Sequence, residues 1–274
     1  MSIYFNPNNG SFTEDKNSQI YVDKTELLKF LNKAVDTPQN CIAVSHARRF
    51  GKSHAAGMID AYYSLGSDSS KLFEDTKIAS DPDYEKYRNK YNVIHLDISS
   101  FWDDYKKNLT EKIVEYIYDD IKEEFGNVLD YKKKLSYVLM KIYKKTEIPF
   151  VIIIDEWDCV IRNSNDQNLI HNYLRFLHSL FKSEESKSFL ALGYITGILP
   201  IKKIEDESAL NNFQEYTMLN SYSITEYYGF TEKEVKDLCE DYDMDFETMK
   251  VWYKGYLING IHMYNPNSIS TALE

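Results

Sequence analysis

The segment "PFVIIIDEWD" constrains this chain more than any other. Five apolar residues in a row, Phe150 to Ile154, close on two acids, Asp155 and Glu156. Strand side chains point to opposite faces in turn, so a strand with one wet face alternates apolar and polar residues. An uninterrupted run has no polar face to offer water. It belongs inside a parallel sheet that is covered on both sides. The flanking sequence follows suit. "NCIAVSH", "NVIHLDISSF", "SFLALGYITG" and "EYTMLNSYSI" read as further strands. Between them lie stretches with apolar residues at helical spacing, among them Leu109–Glu124, Tyr131–Thr146 and "NLIHNYLRFLHSLFKS". Upstream, Leu27, Leu28, Leu31 and Val35 mark a helix that either Asp23 or Thr25 caps. Strands alternating with helices predict an α/β fold: a mostly parallel central sheet with helices on both faces. "TEKEVKDLCEDY" and "FETMKVWYKGYLI" read as small helices, so residues 221–274 form a helical appendage to a core spanning 1–220.

A chain of 274 residues is long enough to bury a sizeable core. Cys41, Cys159 and Cys239 lie far apart with no CxxC spacing, which argues against a disulfide framework or a zinc site and fits a reducing compartment. The N-terminus lacks the charged flank and apolar core of a signal peptide, and no apolar run is long enough to span a membrane. A cytoplasmic location is expected. Net charge is −11, and from Ile201 onward six Lys face fourteen acids. That tail repels a phosphate backbone, so nucleic acid is disfavoured as the main ligand. There are five arginines, and two of them, Arg48 and Arg49, sit side by side.

Those two arginines lie in "SHARRFGKSHAAGMI", between a strand and a helix expected to end at Gly66. A phosphate-binding loop needs backbone N–H groups turned inward and a helix N-terminus facing the anion. It also needs a lysine for the β/γ-phosphates and a hydroxyl for Mg²⁺. Gly51, Lys52 and Ser53 supply these. Arg48, Arg49, Phe50, Gly51, Lys52, Ser53 and His54 are therefore candidate nucleotide contacts. Such a loop ordinarily opens with a glycine at positive φ. Here that residue is His46, which predicts a differently shaped start and a cradle built from Arg49 to Ser53.

Asp155 and Glu156 sit just past the carboxyl end of their strand, the edge of a parallel sheet where ligands bind. Adjacent strand residues point apart. Asp155 is assigned to Mg²⁺, together with Ser53, and Glu156 to the attacking water. Thr196, ending the next strand, either touches the γ-phosphate or the water, or is only a turn threonine before Gly197.

"YVDKTELL", "RRFGKS", "IIIDEWD", "YITGILPIKK", "ALNNF", "GFTEKEV", "WYKGY" and "YNPNSI" occur in that order. The series resembles the predicted bacterial AAA-ATPase-like family, from about Tyr21 to the end of the chain. The resemblance implies an ASCE-type P-loop NTPase fold near the AAA+ and STAND ATPases, with ATP and Mg²⁺ as ligands. "RPRRFGKS" is the usual form there, so His46 stands in place of arginine and Ala47 in place of proline. The resemblance places Tyr21, Val22, Asp23 and Lys24 beside the base and makes 221–274 a small helical lid. Family members commonly carry a PD-(D/E)XK nuclease-like domain. This chain stops at Glu274, and no nuclease activity is expected of it. AAA+ ATPases carry a lid arginine, and here none follows Arg175. That role is absent or falls to Lys233, Lys254 or His262. A finger from a neighbouring copy would be Arg88, Arg162 or Arg175, or a loop arginine. Two functions follow. One is a slow Mg-dependent ATPase working as a switch. The other is a nucleotide-gated module with little hydrolysis, serving a fused or separate effector, with homo-oligomers compatible with both. A nucleic-acid motor is disfavoured.

Overall fold

The computed structural model describes residues 2–126, 129–203, 210–253 and 255–274. Its main sheet has five strands: β1 (Cys41–Ser45), β2 (Asn92–Asp97), β3 (Phe150–Asp155), β4 (Leu190–Gly197) and β5 (Gln214–Thr217). Their spatial order is β2-β3-β4-β1-β5, and every pairing is parallel. The apolar run that opened the reading is β3, buried at every position. Its side chains alternate between two cores. Phe150, Ile152 and Ile154 join helices Leu109–Phe125, Leu135–Thr146 and Gln167–Phe181 on one face. Val151 and Ile153 join helices Glu26–Asn32 and Lys52–Tyr63 on the other. The expected α/β architecture is thus the one observed.

The strand order does one thing for function. β4 lies between β1 and β3, so the loop after β1 and the acids after β3 are separated by two strand spacings, about 10 Å.

Several expectations need correction. β2 stops at Asp97, whose carboxylate caps the helix Ile98–Tyr105 by accepting the Ser99 N–H at 2.9 Å. The helix expected from Tyr131 begins at Leu135. The helix after the phosphate loop ends at Tyr63, and its C-cap Ser64 is extended. Gly66 is no left-handed terminator. It is needed because a Cβ there would lie 2.1 Å from the Asn6 carbonyl oxygen.

The C-terminal region is not wholly helical. Helices Glu232–Asp241, Phe246–Tyr253 and Pro266–Leu273 accompany an antiparallel sheet of β6 (Phe230–Thr231), β7 (Tyr256–Ile258) and β8 (Ile261–Tyr264), ordered β6-β8-β7. Asn259 and Gly260, at φ +48° and +81°, make the two-residue turn between β7 and β8. Positive φ at both positions matches the twist of a hairpin, and Asn-Gly favours it. These elements share a small core of their own, including Val235, Leu238, Met249 and Ile269, onto which Ile20 and Val22 pack.

Lys24 ties this region to the main domain. Its ammonium meets both Glu234 oxygens, at 2.7 and 2.6 Å, and the Glu226 carbonyl at 2.7 Å. Glu234 also closes a capping box with Thr231 at the start of its helix. Burial pushes the Lys24 ammonium below the usual lysine range, and Glu234 opposes that shift. Lys24→Met leaves the mostly buried Glu234 without its cation. It should cost about 3 kcal/mol, the low end for a broken buried pair. Urea unfolding measures this, and an unchanged midpoint would show that the pair does not hold the two parts together.

Candidate functional site

β1 ends in a loop whose shape is set by two left-handed residues, Arg49 at φ +66° and Gly51 at φ +82°. Gly51 is the N-cap of the helix Lys52–Tyr63, and the space where its Cβ would sit is open. His46 stays on the sheet instead: its N–H bonds the Gly197 carbonyl at 3.1 Å. Its ring is buried, 5.0 Å from Tyr228. Burial first, then Lys52, lowers its pKa to about 4, so the ring is neutral. The turn that a glycine would make at position 46 is made three residues later, at Arg49.

Lys52 is buried, and its ammonium donates to the His46 and Ala47 carbonyls, each at 3.1 Å. Two carbonyl oxygens of its own loop hold the ammonium, and with Arg48 and Arg49 beside it the cavity wall suits an anion. Burial lowers the Lys52 pKa, while Glu156, Asp155 and Asp158 pull it back up.

At the end of β3 the two acids take different partners. Asp155 is buried and accepts the Glu156 N–H at 2.9 Å and the Thr196 hydroxyl. Glu156 leaves the strand at φ +50°, a left-handed conformation uncommon for a residue with a Cβ. Its carboxylate pairs with Arg162. Burial raises the Glu156 pKa, and Lys52 and Arg162 limit the rise. The third acid, Asp158, is fully buried. It accepts the Ile198 and Leu199 N–H groups at 3.2 and 2.8 Å and Arg162 Nε at 2.8 Å.

Two cavities flank the loop. One, of about 550 Å³, is lined by Arg48, Lys52, Ser53, Trp102, Glu156 and Arg162. The other, of about 430 Å³, is mostly apolar and is lined by Phe12, Tyr21, Val22, Met58 and Phe230. They meet at Arg49, Gly51 and His54, which line both. Ser53 is exposed on the first turn of its helix and lines the polar cavity, whereas Asp155 is buried and lines neither cavity, so it would reach a Mg²⁺ held at Ser53 only through water. Phosphate oxygens and water complete such a shell, and few protein ligands are needed. No helix among the described residues is long and apolar enough to cross a membrane.

Some expected contacts do not reach these cavities. Thr196 has no exposed surface, and its hydroxyl is spent on Asp155, so it positions a carboxylate and touches no phosphate. Asp23 accepts the Thr25 and Lys77 N–H groups at 2.8 and 2.7 Å and shapes the turn instead of bordering a base. The Phe50 ring borders the apolar cavity but is buried, 5.6 Å from Tyr256, with its carbonyl accepting the Gly229 N–H at 3.0 Å. Lys233 pairs outward with Asp237, and neither it nor His262 lines either of these two cavities. Lys254 lies outside the described residues. Arg88 is tied to Asp68 and Glu85. Arg162, expected at most as a finger for a neighbour, stands in its own chain's site. The signal was the i,i+4 spacing of Asp158 and Arg162.

A five-stranded parallel sheet with Gly-Lys-Ser after one strand and Asp-Glu after the next but one defines an α/β P-loop NTPase. The Predicted AAA-ATPase family matches residues 11–205, and the chain belongs to it. An "Uncharacterized protein in vnfD 5'region" of Azotobacter chroococcum mcd 1 is 23% identical over 256 residues. That alignment takes in 90% of this chain and 46% of the relative, so the chain spans about half its length. Among solved structures, Cdc6p from Pyrobaculum aerophilum is similar at a TM-score of 0.42 and 11% identity, over 87% of this chain and 54% of that one. The Aeropyrum pernix ORC2 protein, solved in ADPNP–ADP complexes, is similar at 0.44 and 10%, over 87% and 56%.

His54 offers a check on the junction between the cavities. Its Nδ1 lies 2.6 Å from the Asp15 carboxylate, and that hydrogen bond raises its pKa, with partial burial opposing. A raised folded pKa means that the pair's stabilisation is complete below the ordinary histidine value of about 6.5 and is lost as pH rises through the folded value. The exposed ring keeps the effect small. An NMR titration should place His54 above a free histidine, and Asp15→Asn should bring it down.

Proposed function

We propose that this chain binds Mg·ATP across the two cavities and hydrolyses it slowly, as a switch. The observation that carries the reading is the convergence of Lys52, Ser53 and Glu156 on one cavity at the carboxyl edge of the sheet, beside an apolar cavity. The apolar cavity would take the adenine against Tyr21 and Val22. The polar one would take the triphosphate, with Lys52 leaving the loop carbonyls for phosphate oxygens and Arg48 and Arg49 adding charge. Ser53 and Asp155 would hold Mg²⁺, which when bound neutralises phosphate charge. Thr196 would fix the Asp155 carboxylate. Glu156 would accept a proton from water as its oxygen attacks the γ-phosphorus and the bond to the bridging oxygen breaks, giving ADP and phosphate. In-line transfer needs this positioning and charge neutralisation more than covalent help.

In this reading residues 221–274 are the lid on the 1–220 core, joined to it by Lys24 and by Phe50. The second reading, a nucleotide-gated module with little turnover for an effector or a second copy, draws support from one observation. Arg162 occupies Glu156, which a working base must be free of.

Lys52→Ala should abolish nucleotide-dependent thermal stabilisation. Glu156→Gln should keep it and lower Mg²⁺-dependent phosphate release by at least about 100-fold, as for loss of a general base. Turnover that survives Glu156→Gln refutes its role. A wild type that no nucleotide stabilises removes both readings.

A further inference from the structure

We infer that Arg162 is the arginine that meets the γ-phosphate, supplied in cis, and that it rests on Glu156 until a triphosphate arrives. The inference builds on the ATP site proposed above.

The guanidinium is held asymmetrically. Its Nε is fixed by Asp158 at 2.8 Å, and Asp158 is itself pinned by the Ile198 and Leu199 N–H groups. Its Nη2 reaches Glu156, a residue on the cavity wall. The inner end is an anchor and the outer end is exchangeable. Arg162 also lines the same cavity as Lys52, and its guanidinium disfavours the lysine's charge there. Lys52 takes two loop carbonyls and Arg162 takes the Glu156 carboxylate.

A γ-phosphate offers more charge than one carboxylate and pairs of oxygens that a guanidinium fork can take together. It would draw the outer end of Arg162 away from Glu156. One movement then does two things. It places positive charge where the transferred phosphoryl group needs it, and it frees Glu156 to accept a proton. ADP lacks the group that would trigger the exchange. Of the remaining arginines, Arg48 and Arg49 belong to the loop before Lys52, Arg88 is committed to Asp68 and Glu85, and Arg175 lines neither cavity.

Isothermal titration of the whole chain with ADP and with the β,γ-imido analogue of ATP, for wild type, Arg162→Ala and Arg162→Gln, tests this. Arg162→Ala strips Asp158 of a partner and risks the fold, whereas the glutamine amide still donates to Asp158 but carries no charge. Each folded variant should bind the analogue at least tenfold more weakly and ADP as before. Phosphate release should fall about 10³-fold, the lower range for loss of an arginine finger. ADP with aluminium fluoride should no longer be trapped. Equal weakening of both nucleotides would make Arg162 structural, and faster phosphate release would make it only a clamp. Either result overturns the inference and leaves the ATP site standing. A wild type that binds neither nucleotide removes the site itself.

Discussion

A carboxylate shut away from water needs donors to hold its charge. Asp158 is such a group, and the arrangement of the site hangs on it. Two backbone N–H groups just past β4 and the Arg162 guanidinium converge on its Oδ2, while Oδ1 has no hydrogen-bond partner among the described residues. It thereby fixes the path of the chain leaving β4 and the direction of Arg162. Asp155, three residues earlier, joins the same two strands through the Thr196 hydroxyl. Glu156 lies between these two fastened acids and must leave the strand at once, which accounts for its left-handed backbone. Such a conformation costs of order 1 kcal/mol. The hydrogen bonds on either side offset it.

The site also reverses the charge of the molecule. The chain carries −11 overall, yet the polar cavity is lined by Arg48, Arg49, Lys52 and Arg162 against Asp103 and Glu156. The scarce arginines are concentrated where an anion would sit. Net charge describes what the outer surface repels, and the local lining decides what the cavity admits.

The sheet was legible because burial on both faces leaves a continuous apolar run, which few other arrangements tolerate. The loop lysine, its serine and the two acids were legible because their chemistry needs fixed neighbours in sequence. What escaped depended on distance in sequence. Nothing near Thr196 announces that its hydroxyl is taken by a carboxylate 41 positions away. Asp23 reads as part of a ligand-side motif until the Lys77 N–H is found on it. The hairpin at Asn259-Gly260 carried a strong local signal. It was hidden by helical spacing in "FETMKVWY", which runs straight into it. Arg162 was visible as a residue and not as a member of the site, because a five-residue helix turns it back toward the strand it follows.

The seat of Phe50 has a last consequence. A Cβ on Gly229 would stand 2.9 Å from the Phe50 ring, and that ring leans on Tyr256. Loop and hairpin therefore touch through the ring of residue 50, and a side chain at 229 would displace that ring. Tyr256 continues into Leu257, and both face solvent, as does Trp252 at the end of the preceding helix. The loop is thus one ring contact away from a greasy outer face about 200 residues further along the chain.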